Sequence, residues 1–202
     1  MKKLITSFLL GIYLLTPAQA GILDKLFGKK EETPSETQAQ TQSKDAFPNI
    51  KIRIRFSPRG GAEKLILEEI SKAQKQILVA VFSFTNMRIA KALVEAKNRG
   101  VKVYVITDEG QGESRYGRKV LEFLASHGVK VKIKRGSGGG LMHHKYAVID
   151  GKIVLTGSYN WTYSAEKRND ENLVAIEGSR NLAKTYFENF KALWQHAKPY
   201  HP

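Results

Sequence analysis

The chain has 202 residues, with 33 Lys plus Arg against 19 Asp plus Glu and no Cys. The missing Cys excludes disulfide stapling and a lipid-modified N-terminal Cys. From residue 51 onward 27 basic residues face 14 acidic ones. Such a surplus points to a polyanionic partner, nucleic acid or anionic lipid headgroups, and otherwise to no more than a soluble basic surface.

Residues 1–20 read as a secretory signal: Lys2 and Lys3, an apolar run from Leu4 to Leu15, then Ala18-Gln19-Ala20 at the cleavage positions. The run is short for a membrane span, although Ile22, Leu23, Leu26 and Phe27 extend its apolar character, so an uncleaved anchor is the rival reading. Export is expected either way, to the periplasm of a bacterium or the medium. Residues 21–47 form a polar linker; within it EETPSETQAQTQSKDA has no large apolar side chain to offset the entropy of ordering. Residues 48–202 are expected to hold one domain with one core.

Ile50 to Phe56 alternates apolar residues with Lys51, Arg53 and Arg55, which predicts a strand with one wet, basic face. Leu65, Ile66 and Ile70 recur at helical spacing within 62–73, and Ile77 to Phe84 is a continuous apolar strand. A helix over Ala90–Ala96 stops at Asn98-Arg99-Gly100, a strand follows at 101–107, then a helix near 120–126 and a strand at 129–133. This alternation predicts βαβ units and a mostly parallel sheet covered by helices. Beyond Gly136–Gly140 the pattern changes. Strands at 145–149 and 152–156 flank Asp150-Gly151, a hairpin signal, and another strand is expected at 173–176. Residues 179–196 close the chain with an amphipathic helix whose stripe of Leu182, Tyr186, Phe187, Phe190 and Leu193 reads as core packing.

The stretch MHHKYAVIDGKIVLTGSYN at 142–160 carries the chemistry. With a strand period of two, His143 and Lys145 share one face and His144 points to the other. Ser158 and Asn160 also differ by two. An imidazole suits both nucleophilic attack on phosphorus and, in a second copy, protonation of the departing oxygen. Lys145 supplies positive charge beside the nonbridging oxygens. Asn160 and Ser158 supply neutral donors, and Glu171 is a candidate to hold one imidazole nitrogen. No metal or other cofactor is required. Zinc at His143 and His144 is the rival, but adjacent strand positions diverge and His127, His196 and His201 show no ligand spacing.

His143-x-Lys145, four residues, Asp150, six residues, Gly157-Ser158-x-Asn160 resembles the signature motif of the phospholipase D superfamily in every residue type and spacing. FSPRGGAEKLILEEI at 56–70, FSFTNMRIAKALVEAKNRGVKVYVITDE at 82–109 and Glu171 resemble the small bacterial endonucleases of that superfamily. The likeness spans nearly all of 48–197. Mitochondrial cardiolipin hydrolase-like proteins share the single-motif layout. What the resemblance implies is a three-layer α/β/α sandwich with a mixed, mostly parallel sheet, and catalysis by His143, Lys145, Asp150, Ser158, Asn160 and Glu171. Asp150 is expected to order the loop and set local charge rather than to attack. The chain has one motif where larger members carry two, so the resemblance implies a homodimer with its site on the two-fold axis. One His143 would form a covalent phosphohistidine while its mate handles protons.

Candidate substrate-binding residues surround this motif. Ser57 and Arg59 follow the first strand, where Arg59 meets a phosphate or is merely solvated. Ser83 faces the same way as Thr85, which is also a candidate helix cap. Arg115 and the basic strand through Lys134 are expected substrate walls, and Gly136–Gly140 a hinge or rim. That run ends in Leu141-Met142 and so is no nucleotide-binding glycine loop. Trp161 either stacks on a base or packs inside. Three functional classes remain open: an exported, metal-independent nuclease acting on DNA, with RNA as a further substrate, a phospholipase or cardiolipin-type hydrolase, and a noncatalytic basic binding module.

Overall fold

One eight-stranded sheet organises the described residues, and its pairing order places the chemistry at one end. The computed structural model describes residues 50–202; the signal expected at 1–20 and the linker expected at 21–47 lie outside the described residues. The strands are β1 (Lys51–Ser57), β2 (Gln76–Val81), β3 (Lys102–Asp108), β4 (Lys130–Lys134), β5 (Lys145–Ile149), β6 (Ile153–Gly157), β7 (Glu171–Glu177) and β8 (Lys198–Pro199). Their spatial order is β1-β7-β6-β5-β2-β3-β4-β8. The helices are α1 (Ala62–Lys72), α2 (Met87–Asn98), α3 (Glu109–Glu113), α4 (Arg115–Ser126), α5 (Tyr163–Lys167) and α6 (Arg180–Gln195).

The sheet is mixed, but the expectation that it is mostly parallel is corrected: only β2-β3 and β3-β4 run parallel, and every other neighbouring pair is antiparallel. The reason is local. Helical crossovers connect β2, β3 and β4, whereas after the Gly136–Gly140 run the chain turns back through hairpins, which can only alternate strand direction. The C-terminal ends of β1, β2, β3, β4 and β6 therefore meet the N-terminal ends of β5 and β7 along one rim.

Helices α1, α2 and α4 cover one face through Leu65, Ile66, Ile70, Ile89, Leu93, Val120, Leu121 and Leu124, packed on Ile77, Val79, Val105, Ala147, Leu155 and Ala175. Leu93 is fully buried there, so Leu93→Ala would cost about 2–5 kcal/mol. Helix α6 covers the other face, with Phe190 packed near Leu78, Ala80, Ile106, Tyr146 and Val148. Local signals set the helix starts: the side chains of Asn86, Ser114, Thr162 and Ser179 each accept a backbone N–H of the first turn. Asn86, not Thr85, is the α2 cap.

The second correction concerns β1. On its basic face Lys51 and Arg55 are exposed as expected, while Arg53 bends onto α1 and pairs with Glu69 at 2.9 Å; the apolar row is wet as well, with Ile52, Ile54 and Phe56 60%, 49% and 61% exposed. Helix α6 lies over β2, β5 and β6, and among the described residues no helix covers this row. Alternation in a sequence defines two faces without saying which one the fold covers. Among the described residues no helix is long and apolar enough to cross a membrane.

Candidate active site

Two local conformations bring the motif's halves together. Pairing of β5 with β2 is extended past the strand by the Phe82 N–H, which donates to the His144 carbonyl at 2.7 Å and carries His143 and Lys145 to the rim. The other half arrives at the end of β6, where Gly157 takes φ 149° and a Cβ would collide with the Asn172 carbonyl. Only glycine admits that approach. The turn it permits is closed by Ser158, whose N–H donates to Asn172 Oδ1 at 2.8 Å.

Lys145 Nζ lies 3.0 Å from both ring nitrogens of His143 and donates to the His143 carbonyl at 2.8 Å. Phe82 flanks both groups, with its ring centroid 4.6 Å from the His143 ring and 5.1 Å from Lys145 Nζ. Burial lowers the Lys145 ammonium below the usual lysine range, and the Glu171 carboxylate opposes this. The ammonium is thus partly stripped of water beside an exposed imidazole, an arrangement suited to meeting a phosphoryl oxygen.

His144 stands on the other side, its ring edge-on to Tyr146 at 5.3 Å, as the period of two requires. Burial, with the charges of Lys145 and His143 adding to it, lowers its pKa below the usual histidine value. A cavity of about 420 Å³ runs beside these residues, bordered by Tyr146, Thr156, Thr185, Tyr186 and Asn189. The rings of Tyr146 and Tyr186 share that border with the hydroxyls of Thr156 and Thr185 and the amide of Asn189.

Asn160 Oδ1 accepts the Ser83 N–H at 3.3 Å, which orients the amide and leaves its Nδ2 group for a ligand. Ser158 differs from its expected role. Its hydroxyl donates to Glu171 Oε2 at 2.5 Å and accepts the Asn172 N–H at 3.1 Å, so it braces the turn instead of offering a donor to substrate. Glu171 likewise holds Ser158 and the Asn169 side-chain amide, the latter at 3.2 Å, and not the imidazole.

Asp150 is brought nowhere near this rim. It lies five residues down β5 from Lys145, about 17 Å away at roughly 3.3 Å per residue. There it adopts φ 53° and accepts the N–H groups of Gln74, Lys75 and Gln76 at 3.0, 2.8 and 2.9 Å. Burial acts to raise its pKa, but those three donors together outweigh it and hold the carboxyl below the usual aspartate range. Asp150 is a clamp between the β5-β6 turn and the start of β2.

Among the expected substrate-binding residues, Ser57 is buried and donates to the Asn169 carbonyl at 3.2 Å, a tie between loops. Trp161 is also buried, edge-on to Phe84 at 5.3 Å, and packs inside. Ser83 serves through its backbone. Arg59 and Arg115 are exposed at the rim, and Lys134 Nζ donates to the Arg135 carbonyl at 2.7 Å. Sequence reasoning missed Phe82, Asn169 and Asn172. The asparagines were discoverable as a polar run, NDEN, at the entry of an apolar strand. Among the described residues no three His, Cys, Asp or Glu side chains group as a metal site.

With this geometry in hand, comparison with known proteins gives consistent matches. The family model described as cardiolipin synthase, PLD-like domain, matches residues 66–194. A Rickettsia prowazekii protein named phospholipase D is 31% identical over 185 residues, covering 91% of this chain and 88% of the relative. A Xenopus tropicalis protein named mitochondrial cardiolipin hydrolase is 40% identical over 131 residues, covering 63% of this chain and 59% of the relative. Among solved structures, Nuc from Salmonella typhimurium, a phospholipase D family member, matches with a TM-score of 0.73 at 32% identity, covering 76% of this chain and 100% of that one.

Proposed function

This chain belongs to the phospholipase D superfamily and is a phosphodiesterase-type hydrolase; we propose that its substrate is polynucleotide, cut without a metal through a phosphohistidine at His143. The observation that carries the chemistry is the convergence of His143, Lys145 and the Asn160 amide on one rim. The polynucleotide reading is supported by the +13 surplus from residue 51 onward, by exposed Arg59 and Arg115 at the rim, and by the likeness to Nuc.

In this reading a neutral His143 ring nitrogen attacks phosphorus and a P–N bond forms as the P–O bond to the leaving strand breaks. His143 of a second copy gives its proton to the departing oxygen. It then takes a proton from water, which attacks phosphorus and releases the first imidazole. Lys145 and Asn160 of both copies hold the nonbridging oxygens. The second copy is proposed to pack along the uncovered row of Ile52, Ile54 and Phe56, continued by half-buried Val174 and Ile176 and by Phe187, which is 37% exposed.

Names among the relatives keep phosphatidyl ester hydrolysis as the second reading. The experiment is turnover of single-stranded DNA, duplex DNA, RNA and cardiolipin liposomes at matched phosphate, in excess EDTA, with His143→Ala as blank. His143-dependent cleavage of nucleic acid that survives EDTA and falls steeply with salt is expected. Release of phosphatidic acid with nucleic acid left intact would replace the substrate assignment, and loss under EDTA would replace the mechanism.

A further inference from the structure

We propose that Tyr163, with Arg168 over its ring, is a base-stacking subsite that makes the enzyme favour single-stranded polynucleotide; this rests on the polynucleotide reading above. The loop from β6 to β7 carries three aromatic residues close together, and two of them face inward. Tyr159 and Trp161 are 1% and 2% exposed, whereas Tyr163 is 60% exposed. The Arg168 guanidinium carbon lies 5.8 Å from the Tyr163 ring centroid.

The base beneath that ring is rigid. Trp161 donates its N–H to the Ser83 carbonyl, and its own carbonyl accepts from Thr85 and Asn86. Tyr159 Oη donates to Glu166 Oε2 at 2.9 Å, and the same carboxylate oxygen accepts the Glu63 N–H at 3.2 Å. The Thr162 hydroxyl caps α5 by accepting from Ala165. A large ring carried on so firmly tied a backbone and left in water offers stacking area at small entropic cost.

Its position suits a substrate contact. Tyr163 is three residues from Asn160, so their Cα atoms are at most about 11 Å apart. Arg168 immediately precedes Asn169, which contacts Glu171 through its amide and Ser57 through its carbonyl. That last bond ties in the loop of Arg59, so exposed Arg59, Lys167 and Arg168 lie near one side of the rim. Cations that follow a phosphate backbone beside an aromatic platform are the elements of single-strand binding. A duplex base is already stacked on its neighbours, so the ring gains contact only from an unpaired one.

The test compares Tyr163→Ala and Tyr163→Trp with the parent chain on a single-stranded oligonucleotide, its duplex, bis(4-nitrophenyl) phosphate and cardiolipin vesicles. The expected result for Tyr163→Ala is a fall of about tenfold in kcat/KM for the single strand relative to the small diester, carried by KM, with Trp restoring the ratio. A ratio that stays within about twofold, or an equal fall on single strand and duplex, overturns the subsite. So does a fall confined to cardiolipin vesicles, which would make Tyr163 a headgroup contact. If the parent chain hydrolyses the small diester but no polynucleotide, the substrate assignment itself fails. Parent cleavage of single strands without a Tyr163 effect removes the subsite alone.

Discussion

Ser158 Oγ donates to Glu171 Oε2 at 2.5 Å, and the same hydroxyl accepts the backbone N–H of Asn172. The end of β6 is thereby fastened to the start of β7. Asn160, two residues on, is oriented through its Oδ1 by the Ser83 N–H. Of two polar side chains that look equivalent in the motif, one is committed to the protein and the other is available to substrate.

Asn160→Ala is therefore expected to lower the hydrolysis rate by about a hundred- to a thousandfold, the loss typical of a donor to a developing anion. Ser158→Ala is expected to lose less than about tenfold, with a small drop in melting temperature from the loosened turn. Steady-state rates and thermal melts of the two variants check this. The reverse ranking would return Ser158 to the phosphoryl group.

Asp150→Asn tests the clamp. Asn tolerates the left-handed backbone at this position, so the substitution removes charge without adding strain. The variant should melt lower, at a cost of about 1–2 kcal/mol, while the kcat of the surviving folded fraction stays near that of the parent. The sign with pH follows from the depressed pKa. Stability from Asp150 is fully present above the unfolded aspartate value near 3.9 and is lost as pH falls through the lower folded value, so the variant's deficit should shrink in acid. A deficit that is constant with pH, or a loss of kcat without loss of stability, would contradict the assignment.

His143 and His144 should separate cleanly. His143→Ala is expected to abolish turnover, roughly 10⁴-fold or more, whereas His144→Ala should retain activity within about tenfold. His144 has a separate signature. Its folded pKa is lowered, so the unfolded chain takes up the proton first as pH falls from about 6.5, and folding stability declines through that window. His144→Gln should flatten that decline in urea titrations between about pH 6.5 and pH 5. Equal loss of activity in both alanine variants would mean that the two rings face the same side.

What the sequence disclosed was local. The period of two separated His143 and Lys145 from His144, the Asp150-Gly151 pair marked the hairpin, and the pairing of His143-x-Lys145 with Ser158-x-Asn160 gave the rim its contents. What it concealed depends on contacts distant in sequence. Nothing in 50–56 states that β1 pairs with β7, that Arg53 meets Glu69, or that α6 stops short of Ile52, Ile54 and Phe56. Motif spacing placed Asp150 with the catalytic residues, but spacing along a strand is also distance, and five residues carry it to the opposite end of the sheet. Neighbours in sequence put Ser57 beside the cleft and leave Trp161 between stacking on a base and packing inside, whereas in space Ser57 meets Asn169 and Trp161 meets Phe84.

The central claim is that His143 itself attacks phosphorus, and the stereochemical course at phosphorus tests it most directly. An oligonucleotide with one phosphorothioate linkage of known configuration would be hydrolysed in ¹⁸O-labelled water, and the configuration of the product thiophosphate determined, with His143→Ala as blank. Two successive in-line displacements, at His143 and then at the P–N bond, predict net retention. Net inversion would mean a single displacement by water and would contradict the account.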